Sequence, residues 1–416
     1  MESTARTSPS DLREKIQRLS DHTKRTLQLP YDPFETLQES GGIRIWARGI
    51  TGQIRIAGTD VSIYPKYVRQ GEERSWPRSL FRMLQVSQSQ AFVPQGHVPS
   101  ESGPQEFLDL VAYGYVDALN IALARGVPQS YKEVEEFTPY LRGRMDPTRL
   151  YPVVITRPNM LFCRSGEMST DIPLNRLLKW TCLFLSTRVL SRALSRELEQ
   201  VSLHFEDVPP LLPPELVGNS IRLSGPQIHF YRAYTIARWL ALGRGFQFYE
   251  GTAEIPGIIL QSNQVFQDFV SGCLSRICRR RGGWTHKSLQ YFQFACETGS
   301  NEKMETVPDE CLFEGADLKL VIDAKYKGEA YKDTLRPASS DVYQVLTAAR
   351  AAHAAKCMLV YPRRPQAPLE KWEVSGIGNP RHLFLLGIDP ILLSERNGIE
   401  EVSSHIEDSI GAALSS

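Results

Sequence analysis

A chain of 416 residues with 42% hydrophobic and 23% charged side chains has ordinary globular composition and is long enough for two or three domains with real cores. Its 48 basic and 47 acidic residues leave a net charge of +1, which excludes a bulk field for polyanions and argues against a free-standing, high-affinity DNA binder. Seven scattered cysteines without a Cys-x-x-Cys pair disfavour a zinc ribbon, an iron–sulfur cluster or a disulfide framework.

In chain order, Ser10 is placed to cap a short amphipathic helix over residues 8–28 carrying Leu12, Ile16, Leu19 and Leu27, closed by the Pro30–Pro33 break. From Gly41 to Tyr67, Ile43/Ile45, Ile54/Ile56 and Val61/Ile63 alternate between Gly49–Gly52 and Gly58–Asp60 turns, which predicts a small antiparallel sheet or barrel. A polar stretch, Ser87–Pro104, leads into a helix near Gln105–Arg125 ended by Gly126 and Pro128. Short strands near Tyr151–Thr156 and Met160–Cys163 precede a long helix from Leu174 to about Gln200. That helix sets Arg188, Arg192 and Arg196 four apart along one face, read as a solvated face or an acidic-partner contact, with a phosphate-tracking stripe as the other reading. The Pro209–Pro214 segment breaks the chain before a helix around Gln227–Leu242.

The last region predicts a helix (Asn263–Arg281), strands (Ser288–Ala295, roughly Lys303–Phe313 and Leu318–Ala324), a helix (Ser340–Ala354) and a strand (Cys357–Tyr361), an order that gives a mixed α/β sheet. Within it, Leu318, Leu320 and Ile322 alternate with Lys319, Val321 and Asp323. One strand face is then buried while Asp323 and Lys325 are delivered to the other. With Asp309 upstream, two carboxylates and an ammonium meet at a strand end. Such a set suits Mg²⁺, whose bound water is acidified, with a cation beside it to position that water or offset charge on a phosphate. The Asp317-Leu318-Lys319 string is a competing match, but it sits where a turn enters the strand, whereas Asp323 follows the strand body and precedes the charged exit Lys327-Gly328-Glu329. The competing reading of Asp323, Lys325 and Lys327 is a solvated strand end. His286 and His353 lack ligand spacing and read as structural or surface residues.

The small, polar N-terminus and the absence of a membrane-length apolar run give the expectation of a cytoplasmic protein. No Gly-x4-Gly-Lys-Ser/Thr occurs, so nucleotide energy, if used, is a partner's.

Several strings together carry a resemblance: Ile63-Tyr64-Pro65-Lys66-Tyr67, Leu141-Arg142-Gly143-Arg144, Asp171-x-Pro173-x-Asn175-Arg176, Gln264-Val265-Phe266, Pro308-Asp309, Asp323-Ala324-Lys325-Tyr326-Lys327 and Asp341-Val342-Tyr343-Gln344. In this order, over roughly Gly41 to Pro362, the chain resembles the McrC family, the nuclease subunit of McrBC-type modification-dependent (type IV) restriction systems. The resemblance implies a C-terminal PD-(D/E)xK nuclease-like mixed sheet with flanking helices, preceded by a small β-rich N-terminal domain with helices. It further implies docking on a McrB-like AAA+ GTPase hexamer, stimulation of its hydrolysis, and cutting of double-stranded DNA carrying modified cytosines. Asp309 and Asp323 would ligate Mg²⁺, Lys325 would orient or activate the attacking water, and Gln344 would support the site. The expected division is a helical extension (1–38), a β-rich partner-docking domain (39–150), a helical segment plus nuclease domain (151–398) and a tail (399–416). Two departures from the family pattern are Gln267, where many relatives place Glu, leaving either Asp268 as an awkwardly rotated substitute or a site with fewer carboxylates, and Ala348 in place of a Tyr four residues after Gln344. They leave open an alternative from another class, a non-cleaving adaptor that regulates an AAA+ partner.

Overall fold

The computed structural model describes residues 9–26, 28–39, 42–56, 59–87, 107–145, 159–210, 221–241, 246–247, 257–288, 290–296, 303–326, 337–363, 366–375, 378 and 380–415. The expected strand at Tyr151–Thr156, residues 88–104 of the polar stretch, 211–214 of the proline-rich segment and the Lys327–Glu329 exit lie outside the described residues. The chain groups into two compact units, one formed by Met1–Gly114 with Gly243–Ser416 and the other by Tyr115–Leu242. The segment expected as one β-rich domain, 39–150, is thus shared between them. The physical link is a strand, Gly257–Gln261, that pairs antiparallel with Ile50–Ile56 from across the intervening unit.

In the first unit a six-stranded mixed sheet runs in the order Trp284–Ser288, Glu310–Glu314, Asp317–Ala324, Lys356–Pro362, His382–Ile388, Glu370–Glu373. The three strands at 317–324, 356–362 and 382–388 are parallel to one another, and the outer pairings are antiparallel. Strands covered on both faces read as continuous apolar runs, which is why Cys357–Tyr361 and Leu383–Leu386 are buried without a break. The helix Ser339–Ala351 returns the chain between two parallel strands. It lays Val345, Ala348 and Ala349 on Val321, Leu359 and Leu385.

Alternation turns Leu320, Ile322, Met358, Val360, Phe384 and Leu386 to the opposite face, where they are buried as well. The helices Ser262–Arg281 and Gly398–Ser415 touch the sheet outside the first cluster, and Trp76–Ser87 packs on Ser262–Arg281. Gly272 permits that helix crossing, since a Cβ there would stand 2.3 Å from the Val86 carbonyl oxygen. Residues expected as a tail therefore form a docked helix. Its Ile399, Val402, Ile406 and Ile410 are buried, and the Lys356 ammonium donates to the Ala413 and Leu414 carbonyls at 2.8 and 2.7 Å, meeting two of its open C-terminal acceptors. A second antiparallel sheet, ordered Thr59–Ile63, Ile50–Ile56, Gly257–Gln261, Phe246–Gln247, and a hairpin of Phe34–Glu39 with Gly42–Ala47 fulfil the sheet expected over 41–67. The helix Pro9–Thr26 buries Ile16 and Leu19 against Phe34, Ile50, Ile63 and Ile259.

The second unit holds a three-stranded antiparallel sheet, Ser130–Thr138, Leu161–Ser169, Arg144–Met145, and a group of helices. The single helix expected from Leu174 to Gln200 is two, Pro173–Ser186 and Arg192–Ser202. Hydroxyls compete with the helical ladder at the break: Thr187 donates to the Phe184 carbonyl at 3.1 Å, and Ser191 caps the second helix by accepting from the Leu194 N–H. Arg188 falls in the connection, donating to the Phe184 carbonyl with its guanidinium 4.0 Å over that residue's ring. The expected stripe of Arg188, Arg192 and Arg196 on one helix face does not form.

Candidate active site

The site is built where the strand Asp317–Ala324 ends. Its burial rises along its length, so Asp317 is exposed at the start and Asp323 is fully buried near the end. Glu310 pairs with Ile322 in the antiparallel register, so Asp309, one residue earlier, comes alongside Asp323. The Ala324 N–H donates to Asp309 Oδ2 at 2.7 Å, and Gln267 Nε2, from the helix Ser262–Arg281, donates to both Asp309 oxygens at 3.1 and 3.2 Å. Lys325, itself pinned by its N–H to the Val360 carbonyl at 2.9 Å, sets its ammonium 2.8 Å from Asp323 Oδ2. The same ammonium donates to Gln344 Oε1 at 3.1 Å. All four sequence-selected residues, Asp309, Asp323, Lys325 and Gln344, are thus brought into one connected group. The competing Asp317, exposed, and Lys319, half-buried, lie at the far end of the strand 3.4 Å apart.

The electrostatics of the group are unusual. Burial, followed by the adjoining Asp323 carboxylate, raises the Asp309 carboxyl well above the ordinary range, to about 8, against the opposing pull of the Ala324 N–H and Lys325. Beyond the Lys325 ion pair, neither Asp323 oxygen receives a well-directed hydrogen bond from a described residue. Two adjoining buried carboxylates, one ion-paired to an ammonium and one favouring its protonated form, have oxygen chemistry that could accept a cation. Among the described residues no group of three or more His, Cys, Asp or Glu is placed to hold a metal ion. A pair of carboxylates suits Mg²⁺ all the same, because that ion dehydrates reluctantly and is commonly held by one or two carboxylates plus water.

Both departures from the family pattern acquire a location. Gln267 occupies the helix position facing Asp309, whereas Asp268 accepts from Gln264 on the exposed side of the same helix at 2.8 Å and does not substitute. Ala348 is buried against the sheet and is not part of the site. The sequence reading also missed a polar chain next to Asp309. Ser275 Oγ and His286 Nε2 are 2.7 Å apart, His286 Nδ1 and Glu310 Oε2 are 2.7 Å apart, and Ser288 donates to Glu310 Oε1 at 2.6 Å. Glu310 directly follows Asp309 in sequence, and that adjacency was the available signal; alternation sends it to the opposite strand face, as the ligand of a structural His286. His353 sits at positive φ just past the helix Ser339–Ala351. Arg142 pairs with Glu136 and Glu167 at 3.2 Å each, and Gly143 at φ 66° passes too close to the Arg164 carbonyl to carry a side chain.

The model of the McrBC 5-methylcytosine restriction system component family matches residues 45–362. The chain belongs to that family. The match contains Gln267 and all four candidate residues, while the helices Pro9–Thr26 and Gly398–Ser415 lie outside it. Among solved structures, the chain is similar to one in the refined half-complex from the tetradecameric assembly of Thermococcus gammatolerans McrB AAA+ hexamers with bound McrC, at 17% identity, covering 96% of this chain and 93% of that one with a TM-score of 0.66. It is also similar to a chain of the cryo-EM structure of the Thermococcus gammatolerans McrBC complex, at 18% identity, covering 65% and 82%, with a TM-score of 0.49. No curated protein matches it. The likeness to the half-complex is one of fold, nearly end to end, and it agrees with the mixed sheet described above. No helix among the described residues is long and apolar enough to cross a membrane.

Proposed function

We propose that this McrBC-family chain is the nuclease subunit of a GTP-driven restriction complex, a metal-dependent endonuclease of the PD-(D/E)xK type that cuts DNA bearing modified cytosine and activates a McrB-like AAA+ hexamer. The observation that carries the reading is the convergence of Asp309, Asp323 and Lys325 at one strand end, with Asp323 fully buried and ion-paired to Lys325. Asp309 and Asp323 would hold Mg²⁺, which when bound acidifies a coordinated water and offsets charge on the phosphate. Lys325 supplies the fixed positive charge beside them, and Gln344 restrains its ammonium so that it stays aimed at the carboxylate edge. Gln267 orients Asp309 and leaves one negative charge fewer at the site than a glutamate would.

That missing charge is also the observation favouring the second reading, an adaptor that stimulates an AAA+ partner without cutting. The deciding experiment is Mg²⁺-dependent cleavage of methylated and unmethylated plasmid by the chain with its AAA+ partner and GTP, comparing wild type with Asp323→Ala and Lys325→Ala. Cutting of methylated plasmid that vanishes in both variants, with stimulated GTP hydrolysis retained, is the expected result. Stimulated hydrolysis without cutting by the wild type would select the adaptor.

A further inference from the structure

The turn Ile63-Tyr64-Pro65-Lys66-Tyr67 has had no part in the site chemistry so far, yet it lies against the site. The Lys66 backbone N–H donates to the Tyr326 hydroxyl at 2.9 Å, and Tyr326 is the residue after Lys325. The buried Tyr326 ring is 6.0 Å from Phe266, the neighbour of Gln267, and 6.4 Å edge-on from Tyr67. Tyr67 is 1% exposed, with its hydroxyl 3.2 Å from that of Ser79. An aromatic cluster therefore ties this N-terminal turn to both elements that supply site residues.

The turn alternates. Ile63, Pro65 and Tyr67 are buried, whereas Tyr64, at 47% exposure, and Lys66 face solvent. Tyr64 is steadied by an edge-on Trp76 ring at 5.9 Å. The Lys66 ammonium has no ion-pair partner among the described residues, and Arg69, Arg74 and Arg78 follow it in sequence. Glu72 accepts from the Arg69 N–H and Glu73 from the Gly71 N–H, each at 3.0 Å. A chain with a net charge of +1 needs such a local basic run to hold a polyanion.

We propose that Tyr64 and Lys66 form the substrate-side edge of the site, Lys66 holding a phosphate that flanks the scissile one and Tyr64 packing on the same DNA strand. The inference rests on the nuclease reading. A DNA strand carries one phosphate per ~3.4 Å of helix axis, so a strand seated at Asp309 and Asp323 carries further phosphates across the surface beside Tyr326. Lys66 is a positioning residue, acting on the substrate's register and not on the bond that breaks.

The contact to Tyr326 uses the Lys66 backbone, so side-chain substitution leaves it in place. In the assembled complex, Lys66→Ala is expected to raise KM for modified duplex about five- to tenfold with kcat within about twofold, Lys66→Glu to raise it further, and Lys66→Arg to restore it. In a Lys325→Ala background that does not cut, Lys66→Ala should flatten the log–log salt dependence of binding by about 0.9, one phosphate contact. An unchanged KM and an unchanged slope overturn the proposal. Failure of the wild type to cut would instead remove the nuclease reading, and the slope would still judge Lys66: flattened, it remains a DNA contact; unchanged, it is none.

Discussion

Asp309 and Asp323 bring like charges into a space with little water, and the protein answers with donors on one carboxylate and an ammonium on the other. Because the Asp309 carboxyl titrates above its ordinary value, the folded, metal-free chain holds a proton that the unfolded chain has released at neutral pH. The associated stability is complete below the ordinary carboxylate range and is lost as pH rises toward about 8. In EDTA, Tm is expected to fall between roughly pH 5 and pH 9, and Asp309→Asn to flatten that dependence; parallel profiles for the two proteins would locate the titration elsewhere. Gln267 leads to a second expectation at this scale. Gln267→Glu places a third carboxylate against Asp309, and calorimetric titration with Mn²⁺ should show affinity tightened on the order of tenfold or more. Weaker binding would mean that the amide's two hydrogen bonds matter more than the added charge.

At the scale of elements, the docked helix Gly398–Ser415 makes a measurable contribution. Its Ile406 is 2% exposed, and Ile406→Ala should cost about 2–5 kcal/mol in denaturant unfolding. A loss below about 0.5 kcal/mol would show the helix frayed from the sheet. Ser191→Ala, removing the cap after the helix break, should cost about 1 kcal/mol. The break itself was not legible from spacing, because Leu177, Leu178, Leu183, Leu190 and Leu194 keep a helical rhythm through Thr187 and Ser191. Only the local hydroxyl bonds reveal where the ladder stops. By contrast, the strand Asp317–Ala324 was legible from the alternation of Leu318, Leu320 and Ile322, although the face expected to be open is buried too, with Val321 and Asp323 on it. Of the site, the acids and Lys325 could be read from local order. The grip of Gln267 on Asp309, across 42 residues, could not, since helix-to-strand contacts leave no periodic trace. The C-terminal helix was missed because its burial depends on where the preceding chain delivers it.

For the molecule as a whole, the first unit is assembled from both ends of the chain. Trp76–Ser87 packs on Ser262–Arg281, Ser79 donates to the Pro390 carbonyl at 2.5 Å, and Gly257–Gln261 completes the sheet begun by Ile50–Ile56. A fragment of residues 262–416 would uncover the side of the helix Ser262–Arg281 that Trp76–Ser87 packs on, around Gly272, and should be recovered as insoluble or unfolded protein. Soluble, cooperatively unfolding fragment would show the sheet self-sufficient. This braiding also sets a clock. At ~5–20 residues per second, the ribosome needs on the order of 10–40 s to add the roughly 200 residues between the strand Ile50–Ile56 and its partner Gly257–Gln261. Tyr115–Leu242 can condense in that interval, while the strand Ile50–Ile56 waits with an unpaired edge. Synthesis thus delays completion of the first unit until both ends of the chain have emerged, and a polypeptide truncated before His382–Ile388 lacks a central strand of the six-stranded sheet that carries the candidate site.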